Sequence, residues 1–108
     1  MNLSNKLNSI LKEYSEGNKK SAYKKFKKIY LQNNKEIKLK YNLAVMQQEL
    51  GLLDEAETNY IDLIKHNDEP KYNINLYNLY ITKGFYLKAL EIIDSIKSKN
   101  ISLTIVDQ

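Results

Sequence analysis

At 108 residues and a net charge of +4, the chain has room for one small domain or a short solenoid. Its apolar share of 43% supports a core with little surplus at this size, so close packing between neighbouring units matters. Cysteine is absent, which excludes disulfides, thiolate catalysis and zinc–thiolate sites together.

Charge is unevenly placed. Residues 1–40 hold eleven Lys against Glu13, Glu16 and Glu36, a balance of +8, whereas residues 41–108 hold six Lys against ten acids, a balance of −4. All seventeen basic residues are Lys. The N-terminal stretch lacks the apolar run of a signal peptide, and no segment approaches the length of a membrane span. A cytoplasmic protein without a membrane span is the expectation.

The first helix is expected over about 3–16, where Leu3, Leu7, Ile10, Leu11 and Tyr14 recur at three- and four-residue steps. Gly17, free to take positive φ, ends it. A second helix over 19–32 carries Ala22, Tyr23, Phe26, Ile29 and Tyr30 on its apolar stripe, with Lys19, Lys20, Lys24, Lys25, Lys27 and Lys28 elsewhere. Asn33 and Asn34 stop it. A third helix over 36–50 has two apolar stripes, Ile37, Tyr41, Ala44, Val45 with Gln48, and Leu39, Leu43, Met46 with Leu50. Two stripes imply packing against both a hairpin partner and a neighbouring hairpin.

After Gly51, a fourth helix running to about residue 66 places Asp54 and Glu55 in its first turn, where carboxylates suit the helix dipole. It turns Ala56, Tyr60, Leu63 and Ile64 inward. The segment from Asn67 to Pro70 is a loop, with Pro70 placed to open the next helix. That fifth helix, over 70–83, has one stripe of Ile74, Tyr77 and Ile81 and another of Leu76, Leu79 and Tyr80. Gly84 breaks it, and a sixth helix over 86–99 is expected to bury Ala89, Leu90, Ile93 and Ile96. Residues 101–108, ISLTIVDQ, are too few for a separate unit and read as a tail or as the start of a seventh helix.

Each glycine is followed five residues later by alanine: Gly17 by Ala22, Gly51 by Ala56, Gly84 by Ala89. The glycines are 34 and 33 residues apart, a period that marks stacked helical hairpins. In the middle unit, Asn42-Leu43-Ala44, Gly51, Glu55-Ala56 and Tyr60 resemble the tetratricopeptide repeat, and the third unit keeps Asn75, Leu76, Tyr80, Gly84, Lys88-Ala89 and Ile93. The first keeps Gly17, Ala22 and Phe26. No Trp is present, and Pro70 is the only proline. The resemblance implies an all-α, right-handed solenoid of three tandem helix–turn–helix repeats, about 3–36, 37–69 and 70–101, in a single domain with a tail at 102–108. Ala44 against Ala56 would give the close helix approach that the pattern requires.

Function follows from the resemblance as an expectation: a non-catalytic protein-interaction scaffold that holds a partner peptide or helix in a concave groove lined by the first helix of each hairpin. Carried over by position, the groove comprises Leu7, Leu11 and Tyr14, then Lys38, Tyr41, Val45, Gln48 and Glu49, then Lys71, Ile74, Asn78, Ile81 and Thr82. Leu7, Leu11, Val45 and Ile74 have an equally good alternative role as packing between hairpins. A two-carboxylate clamp for chaperone tails is incomplete, since only Asn42 and Lys71 match it while Leu7, Leu11 and Asn75 do not. The resemblance also allows an accessory region of a larger transferase-type enzyme.

The Lys19–Lys28 cluster would suit a polyanion, although a solvated helix face is the simpler account. Tyr23, Phe26 and Tyr30 share the stripe of Ala22 and Ile29 and belong to the core, and without Arg the bidentate reading of bases is missing. Nucleic acid is therefore disfavoured as a partner. His66, the single histidine, sits near a helix end where imidazole suits the dipole. Neither a phosphate loop nor a metal-ligand constellation is present, so no cofactor and no catalytic residue is expected. An exposed final hairpin could stack on another copy of the chain.

Overall fold

A computed structural model describes residues 2–99, with side chains to Ser98. Six helices follow in order: α1 (Leu3–Ser15), α2 (Lys19–Gln32), α3 (Ile37–Glu49), α4 (Leu53–His66), α5 (Pro70–Lys83) and α6 (Tyr86–Lys99). Among the described residues there is no strand. The expected tail lies outside the described residues.

Three turns are built alike. Gly17, Gly51 and Gly84 take φ of +105°, +82° and +79°. Each donates its N–H to the carbonyl three residues back, on Tyr14, Gln48 and Ile81, at 3.1, 3.2 and 3.1 Å. The next residue reaches five back, Asn18 to Glu13 at 3.2 Å, Leu52 to Gln47 at 2.8 Å and Phe85 to Tyr80 at 2.8 Å. This pair of bonds satisfies the carbonyls that a helix end leaves open. At Gly51 an added Cβ would meet nothing within 4 Å, so the demand for glycine there comes from the left-handed backbone and not from crowding.

The residue after each glycine also opens the following helix. Carbonyls of Asn18, Leu52 and Phe85 accept from the N–H of Ala22, Ala56 and Ala89 at 3.0, 3.1 and 3.0 Å. All three alanines are buried. The spacing seen in the sequence is thus a turn-and-alanine geometry made three times.

Contacts gather the chain into two compact units, one up to Ala56 and one from Glu57 onward. In the first, Ile10, Ala22, Tyr23, Phe26, Leu39, Leu43 and Met46 form the core, with Leu7, Tyr14, Ile29, Tyr30 and Leu50 packed against it. Ala44 and Ala56 are fully buried in the same unit. A polar tie crosses its interior, where Gln47 Nε2 on α3 donates to the Tyr23 hydroxyl on α2 at 3.1 Å. Both side chains are buried, so the bond meets a need that water cannot.

In the second unit Tyr60, Leu63, Tyr72, Leu76, Leu79, Tyr80 and Ala89 are buried. The loop before α5 is fastened by buried Asn73, whose Nδ2 donates to Asp68 Oδ1 at 2.6 Å and to the Glu69 carbonyl at 3.1 Å. Pro70 stands in the first turn of α5, as the sequence suggests. Asp54 and Glu55 do the same for α4.

Several expectations need correcting. Leu90 was expected inward on α6 but is solvent-exposed. It lies one residue, about 100° of helix rotation, beyond Ala89, and this carries it off the face that meets α5. Leu3, Leu11 and Ile37, assigned to apolar stripes, are exposed as well. The first helix loses one residue at its predicted C-terminal end and the third loses one at each end, where Glu16, Glu36 and Leu50 act as caps. Gln47, Tyr72 and Asn73, outside the expected apolar stripes, are buried.

Candidate partner-binding surface

In the first unit, α1 and α3 position eight of the candidate groove residues. Leu11, Lys38 and Glu49 are exposed, while Leu7, Tyr14, Tyr41, Val45 and Gln48 are half-buried. Leu7 packs against the core and fits the hairpin-packing role, whereas Leu11 is free of it. Tyr14 and Glu49, 35 residues apart in sequence, are joined by a 2.6 Å bond from the phenol to Oε1. Burial, then this bond and the charge of Glu49, push the Tyr14 phenol above its ordinary range. The ammonium of Lys19 lies 5.5 Å from the centre of the Tyr14 ring. Tyr14 therefore links α1 to α3 while keeping part of its ring open to solvent.

In the second unit the five candidates, Lys71, Ile74, Asn78, Ile81 and Thr82, all lie exposed on α5. Ile74 is 49% and Ile81 40% accessible, with Asn78 between them. The two isoleucines stand seven residues apart, about 10 Å along the helix on nearly the same side. Thr82 Oγ1 donates to the Asn78 carbonyl at 3.0 Å, and Lys71 Nζ lies 3.6 Å from Glu69 Oε2. The opposite face of α5 buries Tyr72, Leu76, Leu79 and Tyr80. Ile74 is consequently an exposed residue of α5.

Between α4 and α5 sits a polar group that the sequence alone did not reveal. Glu57 on α4 accepts from the Tyr80 hydroxyl at 2.9 Å through Oε2, and from Lys83 Nζ at 2.9 Å through Oε1. Burial by itself would raise the Glu57 carboxyl, but the bonds from Lys83 and Tyr80 and the charges of Lys83 and Lys88 outweigh it and hold the group below its usual range. Burial, followed by the bond to Glu57, pushes the Tyr80 phenol up to about 12. Its signal was available in the period: Tyr23 and Glu57 are 34 residues apart, and their partners Gln47 and Tyr80 are 33 apart. Both bonds tie one helix to the next, α2 to α3 and α4 to α5.

On α2 the lysines face solvent. Lys25 makes an ion pair with Glu13, 3.1 Å to each carboxylate oxygen. Lys20, Lys24, Lys27 and Lys28 have no ion-pair partner among the described residues. A cleft of about 430 Å³ between α1 and α2 is lined by Lys6, Lys25, Lys28, Ile10 and Ile29 among others. Exposed His66 holds the Asp62 carbonyl at 2.9 Å through Nδ1. Among the described residues, no cluster of three His, Asp or Glu side chains is placed to hold a metal ion, and no helix is long and apolar enough to cross a membrane.

Comparison with protein families, curated proteins and solved structures finds no match to this chain.

Proposed function

We propose that the chain is a tetratricopeptide-like scaffold, a solenoid of helical hairpins whose first helices hold a partner peptide or helix, with no chemistry of its own. The observation that carries this reading is the face of α5, where Lys71, Ile74, Asn78, Ile81 and Thr82 stand exposed opposite a buried face. Apolar anchors separated by an amide and flanked by a cation and a hydroxyl offer both contact area and direction to an extended or helical peptide. The threefold glycine turn supports the hairpin half of the proposal, because each turn is closed by the same two bonds. Surfaces held by regular helices are preformed, which lowers the ordering cost of binding.

A display library of random peptides, selected on the intact chain and mapped by backbone chemical shifts, tests this. Selected peptides should shift Tyr41, Gln48, Asn78 and Ile81, and Ile81→Asp should weaken them by roughly tenfold or more, as loss of an apolar anchor does. A library without binders, or shifts confined to α2, α4 and α6, would refute it.

A second reading, a polyanion-binding face, is favoured by α2 alone. Lys19 and Lys20 occupy its first turn, against the helix dipole, with no acid there to offset them. Affinity for heparin that falls steeply with salt would support this reading, and no binding at low salt would end it.

A further inference from the structure

Beyond the α5 surface, α6 carries a cluster of exposed apolar side chains. Tyr86 is 65%, Leu87 80% and Leu90 56% accessible, and Phe85 adjoins them. Leu90 stands 33 residues after Glu57 and 67 after Tyr23, in the place from which those residues bind a following helix. In α6 that place holds an exposed leucine instead of a bonded polar group.

The pattern around Leu90 is symmetric. Tyr86 and Asp94 lie four residues to either side along one ridge, and Leu87 and Ile93 lie three to either side. A second α6 crossing antiparallel at Leu90 would set leucine on leucine. It would place the Tyr86 phenol beside the partner's Asp94 carboxylate twice, and Leu87 beside the partner's Ile93 twice. An interface in which residue i meets j while j meets i is the requirement for a twofold dimer.

We infer that α6 is a self-association surface, joining two copies of this chain about a twofold axis at Leu90. The inference is independent of peptide binding on α5. The exposed apolar ridge calls for a cover, and the self-complementary placement of Tyr86, Asp94, Leu87 and Ile93 favours a second copy over an unrelated helix.

Light scattering of the intact chain over a concentration series should approach twice the 12.7 kDa of one copy. Leu90→Asp, on an exposed position, should leave the helical signal intact and weaken the dimer by roughly tenfold or more, because a charge would be buried against apolar surface. Leu31→Asp, at the exposed leucine of α2, should leave the dimer unchanged. The chain has no cysteine, so Leu90→Cys introduces a single thiol. Under oxidation it should crosslink rapidly to itself, as a twofold crossing at this residue allows, and Leu31→Cys should not. A chain monomeric throughout, a dimer that survives Leu90→Asp, or a dimer in which Leu90→Cys fails to crosslink would overturn the inference.

Discussion

Removing Glu57 while keeping Lys83 should cost far more than removing the whole group. The Glu57 and Lys83 side chains retain only 18% and 14% of their accessibility, so their charges are poorly screened. Breaking one partner out of a fully buried pair costs about 3–5 kcal/mol, because the survivor keeps an uncompensated charge. Residual solvent contact lowers that for Glu57→Ala, while the Tyr80 hydroxyl, deprived of its acceptor, adds to it. Together these give about 2–4 kcal/mol, or a melting temperature lower by roughly 4–8 °C per kcal/mol in a chain of this size. The triple variant Glu57→Leu, Tyr80→Phe, Lys83→Met removes all three polar ends and substitutes apolar volume. Its stability should lie within about 1 kcal/mol of the parent, since the interior no longer holds a lone charge. Urea unfolding followed by helical circular dichroism at neutral pH measures both. A triple variant at least as unstable as Glu57→Ala would mean that the group stabilises outright, and the reasoning would fail.

The same group gives the stability profile two limbs. Because the Glu57 carboxyl is held low in the folded chain, its contribution is complete above the ordinary carboxylate range and is lost as pH falls through the folded value. The Tyr80 phenol is raised from 10.0 to about 12, so its contribution is complete below 10 and disappears as pH climbs toward about 12. Denaturation midpoints across pH should show both limbs, with the acid one shallower in Glu57→Gln. Ala56→Leu should overpack the first unit by about 1–3 kcal/mol, and an unchanged melting curve would contradict the close approach expected at that alanine. Gly51→Ala forces a Cβ onto a left-handed backbone and should cost about 1 kcal/mol, with Gly51→Asn costing less. Equal losses in the two Gly51 variants would point to crowding and not to backbone strain.

The helices and their turns were legible because glycine, alanine and apolar spacing act locally. Gly17, Gly51 and Gly84 announce left-handed turns by their chemistry alone, and Ala22, Ala56 and Ala89 follow at a fixed distance. Burial of Gln47 and Asn73 was hidden, since an amide reads as surface until its partner is known. Their partners, Tyr23 and Asp68, come from another helix in one case and from a loop in the other. Leu90 failed in the opposite sense. Its type says core, yet its position on the helix decides exposure, and periodicity cannot tell a flank from a centre when neighbouring Ala89 is small. Among the groove candidates, those on α5 are exposed, while sequence position could not foresee that Tyr14 and Glu49 bond to each other.

The backbone repeats its turn three times, but the bonds that tie α2 to α3 and α4 to α5 do not repeat their chemistry. At one such place Tyr23 accepts from an amide, and at the next Glu57 accepts from a phenol and an ammonium. Exchanging the two helices would set Glu57 beside Gln47 without the ammonium of Lys83, and the neutral phenol of Tyr23 beside Tyr80 and Lys83. Each exchange takes a charge away from its counter-charge, so the unlike pairs help fix which helix follows which. Leu90, at the third place, offers no polar group for either partner. A helix bearing a glutamine or a paired tyrosine would lose a hydrogen bond there, whereas another leucine would lose none. Leu90 therefore leaves α6 best matched to an apolar ridge like its own.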